Sequence, residues 1–113
     1  MSVGSIQPRE LKEKLDARER IVLLDVREDD ERAWCVLGSG NAVRDLHIPM
    51  SQISARIGEI ANHPGPIVVY CHHGIRSMAV ARWLAGRGMT ELLNLEGGID
   101  AWSREIDATV PRY

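Results

Sequence analysis

The chain has 113 residues, with 14 Lys+Arg against 16 Asp+Glu and a formal charge of −2. That length supports one compact domain burying roughly two-thirds of its unfolded surface, enough for a core without disulfide or metal staples. Apolar residues at 44% and charged residues at 27% exclude wholesale disorder, near-neutral charge gives no case for nucleic acid, and no run approaches the ~18 apolar residues of a membrane span.

Twelve of the fourteen basic residues are Arg, a bias towards planar anion forks. The start, Met1-Ser2-Val3-Gly4-Ser5, has no basic region followed by an apolar one, so secretion is not expected and a cytoplasmic location is. In that setting Cys35 and Cys71 read as free thiols.

Residues 5–18 read as a first helix, with Pro8 in its first turn and Leu11 and Leu15 four apart on one face. Gln7 is a poor cap, so Ser5 shares that role. The apolar, β-branched run Ile21–Val26 suits a strand buried on both faces, as in a parallel sheet. Glu28–Trp34 reads as a helical turn or two, Gly38-Ser39-Gly40-Asn41 as a loop, and Leu46–Ile48 as a brief strand ended by Pro49. Ser51 would cap a helix presenting Ile53, Ile57, Ile60 and Ala61, and Pro64-Gly65-Pro66 turns the chain. Ile67–Tyr70 is a second buried strand. Ala79, Val80, Trp83 and Leu84 have helical spacing up to Gly86 or Gly88, Leu92–Leu95 is a third clear strand, and Ile99, Trp102 and Ile106 share a final short helix. Alternation at this spacing predicts an α/β domain around a mainly parallel sheet.

In such sheets ligands bind beyond the carboxyl ends of the strands, and Cys71 sits at one. It opens the loop Cys71-His72-His73-Gly74-Ile75-Arg76-Ser77, with a helix expected from near Ser77. Converging loop N–H groups and the positive end of a helix favour an anion and make a thiolate more available. Gly74 permits backbone angles closed to other residues, and Arg76 adds a fixed charge. Alone, a cysteine here reads as a small buried hydrophobe capping a strand. Strand, Cys, Gly, Arg, Ser and helix in succession read as a nucleophile over an anion cradle.

This loop resembles the active-site loop of single-domain rhodaneses, the sulfurtransferase family whose pattern is Cys-x-x-Gly-x-Arg-Ser. Three further segments resemble the family in order and spacing: Leu24-Asp25-Val26-Arg27, His47-Ile48-Pro49, and Leu95-Glu96-Gly97-Gly98-Ile99-Asp100-Ala101-Trp102. Together they cover about residues 5–104. One stretch departs: many relatives carry Gly-His-Ile-Pro-Gly-Ala where residues 40–45 read Gly-Asn-Ala-Val-Arg-Asp, which bears on substrate preference.

The resemblance implies a rhodanese-like domain, a mostly parallel sheet of about five strands with helices on both faces. It implies that Cys71 takes the outer sulfur of a small anionic donor such as thiosulfate and holds it as a persulfide. Cyanide, a thiol or a partner protein then discharges it, with no metal or organic cofactor. Cysteine phosphatases use Cys-x5-Arg, whereas Cys71 to Arg76 is one residue shorter, a cradle resembling that of sulfurtransferases.

The cradle is expected from His72, His73, Gly74, Ile75 and Arg76, with Asp25, Arg27, Ser77 and Glu96 as structural support. Arg76 has two readings: holding the donor's anionic end, or folding back on Asp25 or Glu96 to brace the loop. His72 and His73 line the mouth with partial positive charge near neutral pH; adjacent residues with no second pair at zinc-like spacing do not read as a metal site. Cys35 reads as a half-buried thiol, the alternative being a resolving partner for Cys71. Trp34, Trp83 and Trp102 with Met78 and Met89 read as core and rim packing.

Overall fold

The computed structural model describes residues 3–38, 40–63 and 65–113. Met1, Ser2, Ser39 and Pro64, and with them parts of the chain start, of the expected 38–41 loop and of the 64–66 turn, lie outside the described residues. Among the described residues five strands form one sheet: β1 (Gly4–Ile6), β2 (Val22–Asp25), β3 (Arg44–His47), β4 (Ile67–Tyr70) and β5 (Leu92–Leu95). Their spatial order is β1-β5-β4-β2-β3, and every pairing is parallel. Between and after them run α1 (Pro8–Asp16), α2 (Asp29–Trp34), α3 (Ile53–Arg56), α4 (Ile75–Gly86) and α5 (Gly98–Glu105).

The central strands β2 and β4 are apolar up to the terminal Asp25 and Tyr70 because both faces are covered. Val22 and Leu24 of β2, with Ile67 and Val69 of β4, pack against Ile53 of α3 and Val80 and Leu84 of α4. The alternate residues Leu23, Val68 and Tyr70 point the other way, onto Leu11 and Leu15 of α1 and Ile99 and Trp102 of α5. Each buried aliphatic side chain contributes about 1.5–3 kcal/mol, so the two-period alternation on a double-sided sheet sets the register. The carboxyl ends of β2, β4 and β5 therefore lie side by side, and the loops that follow them meet.

Several expectations are corrected. The first helix does not start at residue 5: Ser5 and Ile6 belong to edge strand β1, where Ile6 pairs with Leu95. Gln7, not Ser5, is the cap; its N–H donates to Glu10 Oε1 at 3.1 Å, and Pro8 follows where no intrahelical N–H is needed. The stretch after Pro49 is not one helix capped by Ser51 but α3 flanked by 3-10 turns at Met50–Gln52 and Ile57–Glu59. Gly58 and the β-branched Ile53, Ile57 and Ile60 disfavour a longer α-helix there. Helix α4 begins at Ile75, two residues before Ser77. Finally, ordered packing continues past residue 104: Val110 is buried beside Trp102, and Ser103 Oγ donates to Val110 O at 2.6 Å. Among the described residues, no helix is long and apolar enough to cross a membrane.

Candidate active site

Cys71 follows β4 and is 1% exposed. Its sulfur accepts the N–H of Gly74 at 3.1 Å and the N–H of Ser77 at 3.3 Å. Helix α4 supplies the second because first-turn N–H groups have no carbonyl within the helix to bond. The same orphan donors give the helix start its positive end, aimed at the sulfur. Gly74 sits at φ +97, and a Cβ there would stand 3.2 Å from Leu95 O and 3.4 Å from Gly97 N. Only glycine reaches that angle unstrained and lets its own N–H turn to the sulfur.

The Gly97-Gly98 pair holds the loop from below. The N–H groups of Ile99 and Asp100, in the first turn of α5, donate to the carbonyls of Cys71 and His72 at 2.9 and 3.1 Å. A Cβ on Gly98 would collide with those two carbonyls, so the close approach of α5 to the end of β4 depends on this glycine.

Asn94, which the sequence reading passed over, closes the floor. Its Nδ2 donates to Gly74 O at 3.1 Å and its Oδ1 accepts the Ser77 hydroxyl at 2.5 Å. Ser77 Oγ in turn lies 3.3 Å from Cys71 Sγ. A buried asparagine in the otherwise apolar strand Leu92-Leu93-Asn94-Leu95 was the available signal, because a polar group there must find partners.

The other wall is ionic. Arg76 folds back, but onto Glu31 of α2 rather than onto Asp25 or Glu96, in a bidentate pair of 2.6 and 2.8 Å. This pair lowers the Glu31 carboxyl to about 2. Asp25 and Arg27 are both fully buried and paired with each other at 2.9 Å through two bonds. Arg27 also donates to the carbonyls of Glu31 and Cys35, at 3.2 and 2.7 Å, and so fastens α2 to β2. Arg32 adds a further bond to Asp25 at 3.2 Å. Glu96 gives its backbone N–H to Ile6 O, and its side chain lines a shallow groove with Arg82 and Ala79.

Tyr113, outside the expected core, joins this wall. Its hydroxyl donates to Glu31 Oε2 at 2.7 Å and accepts from Arg27 Nη1 at 3.1 Å. Burial first, and then Glu31, push that phenol up to about 12. Its ring stacks on His72 at 3.9 Å and meets Trp34 at 5.3 Å. Trp34 is therefore an exposed rim residue rather than core. Burial, and then the neighbouring His73, lower the pKa of His72, which works against the partial positive charge expected of the pair.

His72, His73 and Asp100 each bring one ligand-capable atom within 4.8 Å of the others. Arg104 and Arg112 already occupy the Asp100 carboxylate, at 3.2 and 2.9 Å, and we assign the group no ion. Both thiols are free. Cys71 packs with the α3 and α4 face of the sheet and Cys35 with the α1 and α5 face, where Arg27 points at its sulfur from 3.7 Å. That separation argues against Cys35 as a resolving partner.

Residues 7–105 match the model of the Rhodanese-like domain family. The chain is 36% identical over 105 residues to a putative sulfurtransferase, YtwF, of Bacillus subtilis, covering 93% of this chain and 95% of that one. It is 32% identical over 100 residues to the thiosulfate sulfurtransferase GlpE of Coxiella burnetii, covering 88% and 84%. The crystal structure of a rhodanese-like domain protein from Staphylococcus aureus superposes with a TM-score of 0.79 at 29% identity, covering 98% of this chain and 99% of that one.

Proposed function

The chain belongs to the rhodanese-like domain family, and from that premise we propose that it is a sulfurtransferase working through a persulfide on Cys71. The observation that carries this reading is the pair of N–H groups, Gly74 and Ser77, aimed at the Cys71 sulfur. They are placed as an oxyanion hole is placed, towards the atom on which negative charge resides. The names of its relatives support sulfur transfer in general.

Thiosulfate is the proposed donor. The Cys71 thiolate attacks its outer sulfur, a new S–S bond forms, and the S–S bond of the donor breaks with its electron pair leaving on sulfite. The persulfide anion is retained. A nucleophile, cyanide or a thiol, then attacks the outer sulfur and returns the Cys71 thiolate. Two easier displacements replace one, so ping-pong kinetics are expected. His73, Gly74 and Ile75 line the approach. Arg76 contributes its charge from the position where Glu31 holds it, bracing the loop rather than closing on the donor. Asp25 and Arg27 fix the strand ends beneath.

One observation favours a second reading, a carrier serving a protein acceptor. Ile75, within the catalytic loop, is 80% exposed beside a groove lined by Met78, Ala79 and Arg82. An aliphatic side chain held in water next to the reacting atom suits a partner's surface.

Intact-protein mass spectrometry after thiosulfate tests both. A gain of one sulfur on the wild type and not on Cys71→Ser is the expected result. Absence of the gain would overturn thiosulfate as donor. A persulfide that survives cyanide and small thiols would move the assignment to the carrier.

A further inference from the structure

We propose that Asn94 is a positioning residue that sets the hydrogen-bond polarity at the Cys71 sulfur, acting through the Ser77 hydroxyl. This rests on Cys71 being the nucleophile. The inference follows from which atoms can only accept. A backbone carbonyl cannot donate, so the contact at Gly74 O requires the Nδ2 side of the Asn94 amide. The Oδ1 side is then fixed towards Ser77, and it too can only accept. The single proton of the Ser77 hydroxyl therefore goes to Asn94 at 2.5 Å. What Ser77 turns to Cys71, 3.3 Å away, is a lone pair.

The consequences at sulfur are opposed. A neutral thiol donates its S–H to Ser77 Oγ and is supported there. A thiolate faces an oxygen lone pair, and the hydroxyl can turn to it only by leaving Asn94 Oδ1 unpaired inside the protein, where Asn94 is 3% exposed. The N–H groups of Gly74 and Ser77 pull the other way, towards the anion. Asn94 thus serves both sides. It steadies the Gly74 peptide that donates to sulfur, and it withholds the Ser77 hydroxyl from the same sulfur. The arrangement sets one contact that favours the thiol against two that favour the thiolate, and it is made entirely of uncharged groups. The charged and titratable groups around the loop are Arg76, whose charge acts on Cys71, His72 and His73 on the loop itself, Glu31 on α2, Asp100 on α5, Glu96 after β5, and Tyr113.

The test is the pH dependence of Cys71 alkylation by iodoacetamide, followed on the Cys71 peptide by mass spectrometry. It needs no sulfur donor, so it stands or falls separately from the sulfurtransferase reading. Ser77→Ala, Asn94→Leu and the double variant leave every charged group above in place. Asn94→Leu frees the hydroxyl to donate to the thiolate, so below the midpoint its alkylation is expected to be at least about threefold faster than wild type. Ser77→Ala removes the support for the thiol and is expected to be faster than wild type by a smaller factor. In the Ser77→Ala background Asn94→Leu is expected to give no further acceleration, which isolates the route through Ser77 from the one through Gly74.

A slower Ser77→Ala would overturn the proposal, because it would mean the hydroxyl donates to sulfur in the wild type. An acceleration by Asn94→Leu that persists without the Ser77 hydroxyl would overturn it as well. If Asn94→Leu does not fold, the sign of the Ser77→Ala effect alone decides.

Discussion

The two sides of the Cys71 loop are held by different physics. Towards β5 the partners are neutral: Asn94, Ser77 and the peptide of Gly74. Towards α2 they are ions: Arg76 with Glu31, and beneath them Arg27 with Asp25. Neutral hydrogen bonds at the sulfur can select a protonation state without adding charge that would compete with an anionic donor. Ion pairs on the far side fix a helix and a loop whose sequence separation, 45 residues from Glu31 to Arg76, leaves a long segment to be closed. The first network acts at the Cys71 sulfur and the second holds the frame. Substitutions on the ionic side should therefore register as stability first.

The largest such effect is expected at Arg27. Replacing it with Met leaves the buried Asp25 carboxylate with the Arg32 guanidinium and the backbone N–H of residue 27, and takes donors from the carbonyls of Glu31 and Cys35. Breaking a buried pair this way costs about 3–5 kcal/mol. Urea unfolding of Arg27→Met should show a loss in that range with an unchanged slope. A loss under about 1 kcal/mol would show that α2 is fastened by its packing instead, and the contrast between the two sides would fail.

Much of this was legible in the sequence, and the division follows the range of the interactions. The strands Val22–Asp25 and Ile67–Tyr70 were readable because burial on both faces writes itself into consecutive residues. Cys71, Gly74 and Ser77 were readable because a strand end, a glycine and a helix start act on one another within seven residues. Glu31 and Tyr113 were not. Each looks like an ordinary surface residue until the fold places it against Arg76 and Arg27. The bracing reading of Arg76 accordingly names Asp25 or Glu96, acids inside the motifs, and not Glu31, which only the fold brings beside it. Ser5 and Ile6 of the edge strand Gly4–Ile6 read as helix in the sequence because three residues carry no period, and only the pairing with β5 defines them.

The Arg76–Glu31 pair should give the middle effect, and a pH signature. Glu31 has its carboxyl lowered from 4.5 to about 2. The folded state thus favours the carboxylate. Its stabilisation is complete above about 4.5 and is lost as the pH falls from there towards about 2. Glu31→Gln should cost about 1–2 kcal/mol at neutral pH, discounted because Arg76 is partly in water. The difference from wild type should shrink as the pH is lowered through that window. A difference that stays constant with pH would mean the lost contact is not ionic.

The smallest effect is expected at the hydroxyl that joins Tyr113 to both ion pairs. Tyr113→Phe keeps the ring that stacks on His72 and meets Trp34, and removes only the donor to Glu31 and the acceptor for Arg27. Each charged partner keeps stronger bonds elsewhere: Glu31 to Arg76, and Arg27 to Asp25 and the Cys35 carbonyl. The expected loss is therefore that of one hydrogen bond, about 0.5–1.5 kcal/mol. It should fall further in a Glu31→Gln background, because the two residues share a bond and their effects couple. A Tyr113→Phe loss as large as that of Arg27→Met would make the tail, and not the buried Asp25–Arg27 pair, the fastening of this wall. Equal losses with Glu31 intact and with Glu31→Gln in place would mean that the phenol serves Arg27 alone.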